Sequence, residues 1–188
     1  MHKNKAFFLD RDGVIVRNVP YLNTIKDLKL LPGVDSAIKL INSFGYKCIV
    51  ITNQSGVARG IVSVDQIFSI HEYIKKSLEK AGAIIDAFYF CPHHVKGKIG
   101  MYTIECDCRK PRSGMYFRAA KDHNLSLANS IMVGDSNIDI EAGRNAGCES
   151  FLLYNQTVIG GKKVTFQSLK EVVSYILLHN KGLGSNTN

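Results

Sequence analysis

The chain has 188 residues, 45% of them hydrophobic and 21% charged, and a formal net charge of +8. That length fits one domain with a sizeable core, and no apolar run approaches the roughly 20 residues of a membrane span. The N-terminal apolar run Ala6–Leu9 meets Asp10 and Arg11 at once, too early for a signal peptide, so a cytoplasmic protein with no membrane partner is expected.

Ala6–Leu9 reads as a strand running into two acids, Asp10 and Asp12. Pro32-Gly33 opens a helix with Val34, Ala37, Ile38, Ile41 and Phe44 on one face, ended by Gly45. Lys47–Thr52 is a continuous apolar strand. Ser63 and Gln66 form a capping box for a helix whose inner face is Ile67, Ile70, Ile74 and Leu78, ended by Gly82. Ile84–Phe90 is a strand, with Phe88, Tyr89 and Phe90 assigned to core packing. Gly114–His123 is predicted helical, Ile131–Val133 a strand, Ile138–Ala146 a helix, Phe151–Leu153 a strand and Phe166–Leu178 a last amphipathic helix. His71 and His123 are assigned to helix surfaces. Residues 1–180 are read as one domain, and the Gly/Ser/Asn-rich tail 181–188 is expected to be disordered. Alternating strands and helices predict an α/β fold, a parallel sheet with helices on both faces in three Rossmann-like layers.

Parallel sheets bind ligands at the carboxyl ends of their strands. Asp10 and Asp12 follow the first strand, Thr52-Asn53-Gln54 the second, and Gly134-Asp135 the strand at 131–133. A carboxylate such as Asp10 can attack phosphorus, and Asp12 can act first as general acid and then as base for water. Asp10, Asp12 and Asp135 together form a hard oxygen site suited to Mg²⁺. Thr52 offers a hydroxyl and a backbone N–H, and Lys110 a positive charge, to a phosphoryl group in flight. Any one of these acids alone would be read as a turn or helix-cap residue; their common placement at strand ends argues for phosphoryl transfer.

The segments "DRDGV" (10–14), "TNQSG" (52–56), "RKP" (109–111) and "GDSNID" (134–139) resemble, in order, the four motifs of the haloacid dehalogenase-like (HAD-like) phosphatases. "TNQSGVARG" (52–60), "CPHH" (91–94) and "CDCRKPRSGM" (106–115) are similar to the D-glycero-D-manno-heptose 1,7-bisphosphate phosphatase branch. The resemblance implies Asp10 as nucleophile, Asp12 as general acid/base, and Thr52 and Lys110 as supports of the transferring phosphoryl group. It implies Mg²⁺ on the side chains of Asp10 and Asp135 and the carbonyl of Asp12, with Asp139 supporting that site. It places Asn18, Tyr21, Asn53, Gln54, Ser55 and Arg109 against substrate. Two stretches depart from the family pattern. Arg17-Asn18-Val19-Pro20-Tyr21 stands where relatives have an acidic residue and a glycine before the tyrosine, and Ser136 stands where they often have Lys. Only 39 residues separate Asp12 from Thr52 and 57 separate Thr52 from Lys110, which leaves no room for a cap domain, so a capless, open site is expected.

Five cysteines stand at 48, 91, 106, 108 and 148. Cys91-Pro92-His93 and Cys106-Asp107-Cys108 are C-x-H and C-x-C pairs with 12 residues between them, the ligand types of a closed Zn²⁺ site, with His94 as a competing imidazole. Disulfides are disfavoured in a cytosolic protein; Cys48 and Cys148 are read as structural. Such a knot would also fix Lys110. The reading that results is a Mg²⁺-dependent phosphatase acting as a monomer, which removes the C7 phosphate of a heptose 1,7-bisphosphate through an aspartyl-phosphate for nucleotide-activated heptose synthesis. Histidinol-phosphate phosphatase is the alternative enzyme; "SGVARG" favours the heptose branch, because histidinol-phosphate relatives usually have "DGLGT" there. The net charge, and seven Lys/Arg against two acids between Cys91 and Lys121, raise a third reading, a zinc-bearing nucleic-acid-binding module. Acids at strand ends would repel a phosphate backbone, so no nucleic-acid partner is expected.

Overall fold

The computed structural model describes residues 3–159 and 161–179; the tail expected to be disordered lies outside them. Its sheet strands are β1 (Ala6–Leu9), β2 (Lys47–Asn53), β3 (Ala87–Cys91), β4 (Ile131–Gly134) and β5 (Glu149–Leu152). All pair in parallel, in the order β3-β2-β1-β4-β5. The helices are α1 (Val34–Ser43), α2 (Val64–Glu79), α3 (Gly114–His123), α4 (Asn137–Asn145) and α5 (Leu169–Ser174).

Central strands buried on both faces need apolar residues at every position, because successive side chains point to opposite sides. β1 meets this condition: Phe7 and Leu9 enter one core with α1, α2 and α5, while Ala6 and Phe8 enter the other with α3 and α4. The two cores sandwich the sheet and make three layers. Burying each of these phenylalanines is worth about 1.5–3 kcal/mol, which anchors the strand whose end carries Asp10. Between Asp12 and Thr52 the chain forms loops, one short 3₁₀ turn at Ile25–Asp27 and α1, and between Thr52 and Lys110 it forms α2, β3 and loops with one short 3₁₀ turn at Gly100–Tyr102, so neither gap holds an inserted domain.

Local chemistry sets the helix ends. Gly33, at φ +75°, starts α1 in a backbone state that other residues rarely adopt. The capping box of Ser63 and Gln66 is present at α2, and Ser136 and Asp139 form a second one at α4.

Several elements differ from the sequence expectations. β3 begins at Ala87 rather than Ile84, because the Asn42 side chain pairs with both the N–H and the carbonyl of Ile84, at 2.9 and 3.1 Å, in place of a strand neighbour. The last helix starts at Leu169, where Ser168 caps it, while Phe166 bridges to Leu153. An antiparallel hairpin, β6 (Gln156–Ile159) with β7 (Lys162–Thr165), was not anticipated. His71, assigned to the surface, is instead buried at 4% exposure and stacks on Phe88 with ring centroids 4.5 Å apart. It lies four residues after Ile67, on the stripe of α2 that faces the sheet. Among the described residues, no helix is long and apolar enough to cross a membrane.

Candidate active site

β1, β2 and β4 are adjacent, so their carboxyl ends open on one crevice. Asp10 extends β1 by one residue, its N–H donating to the Val133 carbonyl at 3.0 Å. The chain then turns at Gly13, whose φ is +80°. A Cβ there would lie 1.9 Å from Asp135 Oδ2, so only glycine lets the two loops close around the acids. Carboxylate oxygens of Asp10, Asp135 and Asp139 all lie within 4.8 Å of one another.

Lys110 neutralises part of this charge. Its buried ammonium donates to Asp10 Oδ1 at 2.7 Å and to the Ile51 carbonyl at 2.8 Å, and meets Asp139 Oδ1 at 2.6 Å. All three of its hydrogens are thereby matched. Burial alone would depress the Lys110 pKa, but Asp10 and Asp139 outweigh that and raise it, so the ammonium stays charged. Burial is also the largest influence on the acids. It pushes Asp10 up to about 7, with Asp139 and Asp12 adding to the rise and Lys110 opposing it. It pushes Asp135 up to about 6, again with Asp139 adding and Lys110 opposing. One lysine cannot balance three crowded carboxylates. A hard dication such as Mg²⁺ fits both the donor chemistry and the excess charge.

Asp12 is held apart from that cluster. Arg11 Nη2 reaches both of its oxygens, at 3.0 and 2.8 Å, Arg11 Nε reaches Oδ1 at 3.2 Å, and Gln54 Nε2 donates to Oδ2 at 3.0 Å. Arg11 is only 1% exposed and is backed by His71 Nε2 at 3.4 Å from Nη1. The same Gln54 amide donates to Thr52 Oγ1 at 2.9 Å, tying Thr52 to Asp12. The sequence reading gave neither Arg11 nor His71 a role. An arginine between two acids, and a histidine on the inner period of α2, were the available signals.

The residues expected against substrate divide into two groups. Asn53 uses both ends of its amide on the Lys110 backbone, donating to the carbonyl and accepting from the N–H, each at 3.1 Å. Gln54 is buried among Asp12 and Thr52. Both therefore brace the site from within. Asn18 and Tyr21 are exposed and Ser55 is half-buried. Tyr21 lies against the β2 loop, since a Cβ on Gly56 would come within 3.1 Å of its ring. Half-buried Arg109 gives one N–H to the His93 carbonyl at 3.2 Å. Ser136 donates to Asp139 Oδ2 through Oγ at 2.6 Å and through its N–H at 3.1 Å. With Oδ1 on Lys110, Asp139 is occupied at both oxygens.

The second cluster lies just before Lys110. One ligand atom from each of Cys91, His93, Cys106 and Cys108 falls within 4.8 Å of the others, and all five cysteines of the chain are free. The contacts are 3.6 Å for Cys91–Cys106, 3.3 Å for Cys106–Cys108, 3.3 Å for Cys108 Sγ to His93 Nδ1 and 3.8 Å for Cys91 Sγ to His93 Nδ1. Edges of about 3.5–3.8 Å follow from tetrahedral bonds of about 2.3 Å to sulfur and 2.0–2.1 Å to nitrogen. The Cys108 thiol is pushed far above its ordinary range, first by the Cys91 thiol beside it and then by burial; thiolates crowded this closely call for a cation. His94 does not compete. Its Nδ1 accepts from the Lys96 N–H at 3.0 Å and its Nε2 faces Arg59 at 3.3 Å.

Comparison with known proteins agrees with this geometry. The HAD-hydrolase-like family model matches residues 107–157. The chain is 40% identical over 174 residues to the D-glycero-beta-D-manno-heptose-1,7-bisphosphate 7-phosphatase of Haemophilus influenzae, covering 93% of this chain and 91% of that one. It is 42% identical over 151 residues to the D-glycero-alpha-D-manno-heptose-1,7-bisphosphate 7-phosphatase of Burkholderia mallei, covering 80% of each. Among solved structures, the D,D-heptose 1,7-bisphosphate phosphatase from B. bronchiseptica, in complex with magnesium and phosphate, superposes with a TM-score of 0.80 at 29% identity, covering 93% of this chain and 99% of that one.

Proposed function

The chain belongs to the heptose-1,7-bisphosphate 7-phosphatase family of HAD-like hydrolases, and from that premise we propose that it removes the C7 phosphate of D-glycero-D-manno-heptose 1,7-bisphosphate through an aspartyl-phosphate on Asp10. The observation that carries the reading is the buried ammonium of Lys110 joining Asp10, at the carboxyl end of β1, to Asp139, in the first turn of α4. A lysine so placed holds the Asp10 carboxylate by Oδ1 and leaves Oδ2 to attack phosphorus.

In the first half-reaction an Asp10 oxygen bonds to phosphorus and the bond from phosphorus to the C7 oxygen breaks. Asp12 gives its proton to that leaving oxygen. In the second half, water attacks the phosphoryl group, Asp12 takes the water's proton, and the bond between Asp10 and phosphorus breaks to restore the carboxylate. Arg11 and Gln54 keep Asp12 beside Thr52. The Thr52 hydroxyl and the Lys110 ammonium stabilise the charge of the phosphoryl oxygens in flight. Mg²⁺, held by the side chains of Asp10 and Asp135 and the carbonyl of Asp12, would supply the positive charge that lets a phosphate dianion approach three carboxylates. Asp139 steadies Lys110, and Asn53 fixes its backbone.

The cluster of Cys91, His93, Cys106 and Cys108 is read as a structural Zn²⁺ site that sets the position of Arg109 and Lys110. Asn18, Tyr21 and Ser55 form the sugar-facing rim. Residues 1–180 act as one cytoplasmic phosphatase domain, a monomer in this reading, supplying heptose for nucleotide activation. Phosphate release over a panel tests the assignment: both anomers of heptose 1,7-bisphosphate, histidinol phosphate and fructose 1,6-bisphosphate. A heptose bisphosphate is expected to give the highest kcat/KM; histidinol phosphate as the best substrate would overturn the assignment.

A further inference from the structure

We propose that His71 is a positioning residue for the phosphoryl chemistry: its imidazole fixes the Arg11 guanidinium, and Arg11 in turn holds the acid–base group Asp12 in place. The proposal rests on the phosphatase reading above and extends its machinery from the end of β1 to the middle of α2.

The guanidinium is divided between two partners. Its Nε and Nη2 face the Asp12 carboxylate, Nε at 3.2 Å and Nη2 at 3.0 and 2.8 Å, which leaves Nη1 at the far corner of the fork. Nη1 meets His71 Nε2 at 3.4 Å. An arginine nitrogen can only donate, so Nε2 is the acceptor and carries no proton, and the neutral ring holds its proton on Nδ1. The surroundings keep the ring neutral. His71 is buried, stacked on Phe88 with 4.5 Å between centroids and 19° between planes, and Phe90 lies edge-on at 5.7 Å. Burial, and after it the Arg11 charge, push its pKa down to about 3. A neutral acceptor satisfies Arg11 without drawing away the charge that Arg11 directs at Asp12.

Packing alone does not require a histidine here. An apolar side chain at 71 would fill the space against Phe88 but would leave the buried Nη1 without its acceptor, and a charged donor stranded in that way costs more than a neutral one. Arg11 would turn to find another acceptor, and Asp12 would lose its direction with it. The Asp12 side chain is partly exposed, so hydrogen bonds rather than packing set its orientation. Three of them come from Arg11 and one from Gln54 Nε2. His71 is the firmer anchor. It sits mid-helix in α2, whose start is fixed by the capping box at Ser63, and its ring is held by Phe88 of β3. The packing of α2 on β3 thereby sets where Asp12 points.

The test compares His71→Phe and His71→Gln with wild type on heptose 1,7-bisphosphate and 4-nitrophenyl phosphate. Phenylalanine keeps the stack on Phe88 and supplies no acceptor; glutamine keeps an acceptor and gives up the ring. His71→Phe is expected to lose kcat by about ten- to a hundredfold on both substrates, the scale of one charge-assisted hydrogen bond, with KM close to wild type. His71→Gln should recover most of that kcat, whatever stability to denaturant it loses with the ring. Pre-steady-state release of 4-nitrophenol gives a second readout. This leaving group needs no proton, so Asp10 should still be phosphorylated rapidly, while the step in which Asp12 serves as base for water slows. His71→Phe should therefore show a burst of 4-nitrophenol larger than that of wild type and approaching one per active site. Wild-type kcat in His71→Phe, or a loss that His71→Gln shares equally with no added burst, would overturn the proposal and leave the phosphatase reading standing. Full turnover in Asp12→Asn would overturn the acid–base reading and the proposal with it. Should His71→Phe fail to fold, His71→Leu is read in its place by the same burst.

Discussion

The buried centre and the basic rim treat charge in opposite ways. At the centre three of the four acids have a cationic partner, Asp10 and Asp139 in Lys110 and Asp12 in Arg11, while among the described residues Asp135 has no ion pair. On the rim, Arg59 and Arg109 are cations with no carboxylate within ion-pair distance among the described residues, and His94 is a neutral imidazole facing Arg59. Paired charges are rigid and indifferent to the rest of the ligand, as phosphoryl chemistry common to many substrates requires. Unpaired donors wait for a ligand to complete them, which suits selectivity. Substitutions at the centre should therefore affect all substrates alike, whereas substitutions on the rim should affect them unequally.

Lys110→Met should break the centre most severely. It strands Asp10 and Asp139 in a buried site, and losing one partner of a buried ion pair costs about 3–5 kcal/mol of stability. Denaturant unfolding should show that loss, with part of it recovered on adding Mg²⁺. Turnover should fall by about 10³-fold or more on every phosphate ester. A mild, substrate-selective defect would contradict the account.

Removing zinc should be nearly as damaging, because Cys108 lies two residues before Lys110. Elemental analysis is expected to find one zinc per chain, and a strong chelator should lower the melting temperature and turnover together, with several kcal/mol of loop order at stake. Metal-free, reduced protein of full stability would show that the cluster is something else.

Arg11→Met offers a sharper test of the centre. Arg11 contacts Asp12 and not the substrate, so kcat should fall by about 10²–10⁴-fold on bisphosphate and aryl phosphate alike, the cost of a displaced acid–base group. A change confined to KM for the sugar would move Arg11 to the rim.

Arg109→Ala should have the smallest effect and the most selective one. The ratio of kcat/KM on heptose bisphosphate to that on an aryl phosphate should drop by about ten- to a hundredfold. An equal decline on both would mean that Arg109 serves Lys110 rather than substrate.

The same division marks what the sequence made legible. Strands buried on both faces must read as continuous apolar runs, so β1, β2 and β4 stood out, and the rule that ligands gather at strand ends then drew Asp10, Thr52 and Asp135 together. Ligand spacing, with the family resemblance, drew the three cysteines of the zinc candidates together with the His93-His94 pair. Partners supplied by distant segments were not legible. Nothing local in "TNQ" shows that Asn53 clasps the Lys110 backbone 57 residues on, or that Gln54 turns inward to Asp12. The burial of His71 was readable from its place four residues after Ile67 on the inner period of α2, but its partners Arg11 and the Phe88 ring come from other elements and were not. The choice of His93 over His94 depended on a backbone turn at Lys96 that no spacing rule encodes. The β6–β7 hairpin was missed although Gly160-Gly161 lies between its strands in the sequence, a signal usable without any distant contact.

The central claim is that Asp10 carries the phosphoryl group. It is tested most directly by quenching the enzyme during turnover of heptose 1,7-bisphosphate, reducing acyl phosphates with borohydride, and mapping the peptides by mass spectrometry. An aspartyl-phosphate is reduced to homoserine, and the account predicts homoserine at position 10 in wild type and none in Asp10→Asn. Homoserine at Asp12 or Asp135, or its absence while phosphate is being released, would contradict it.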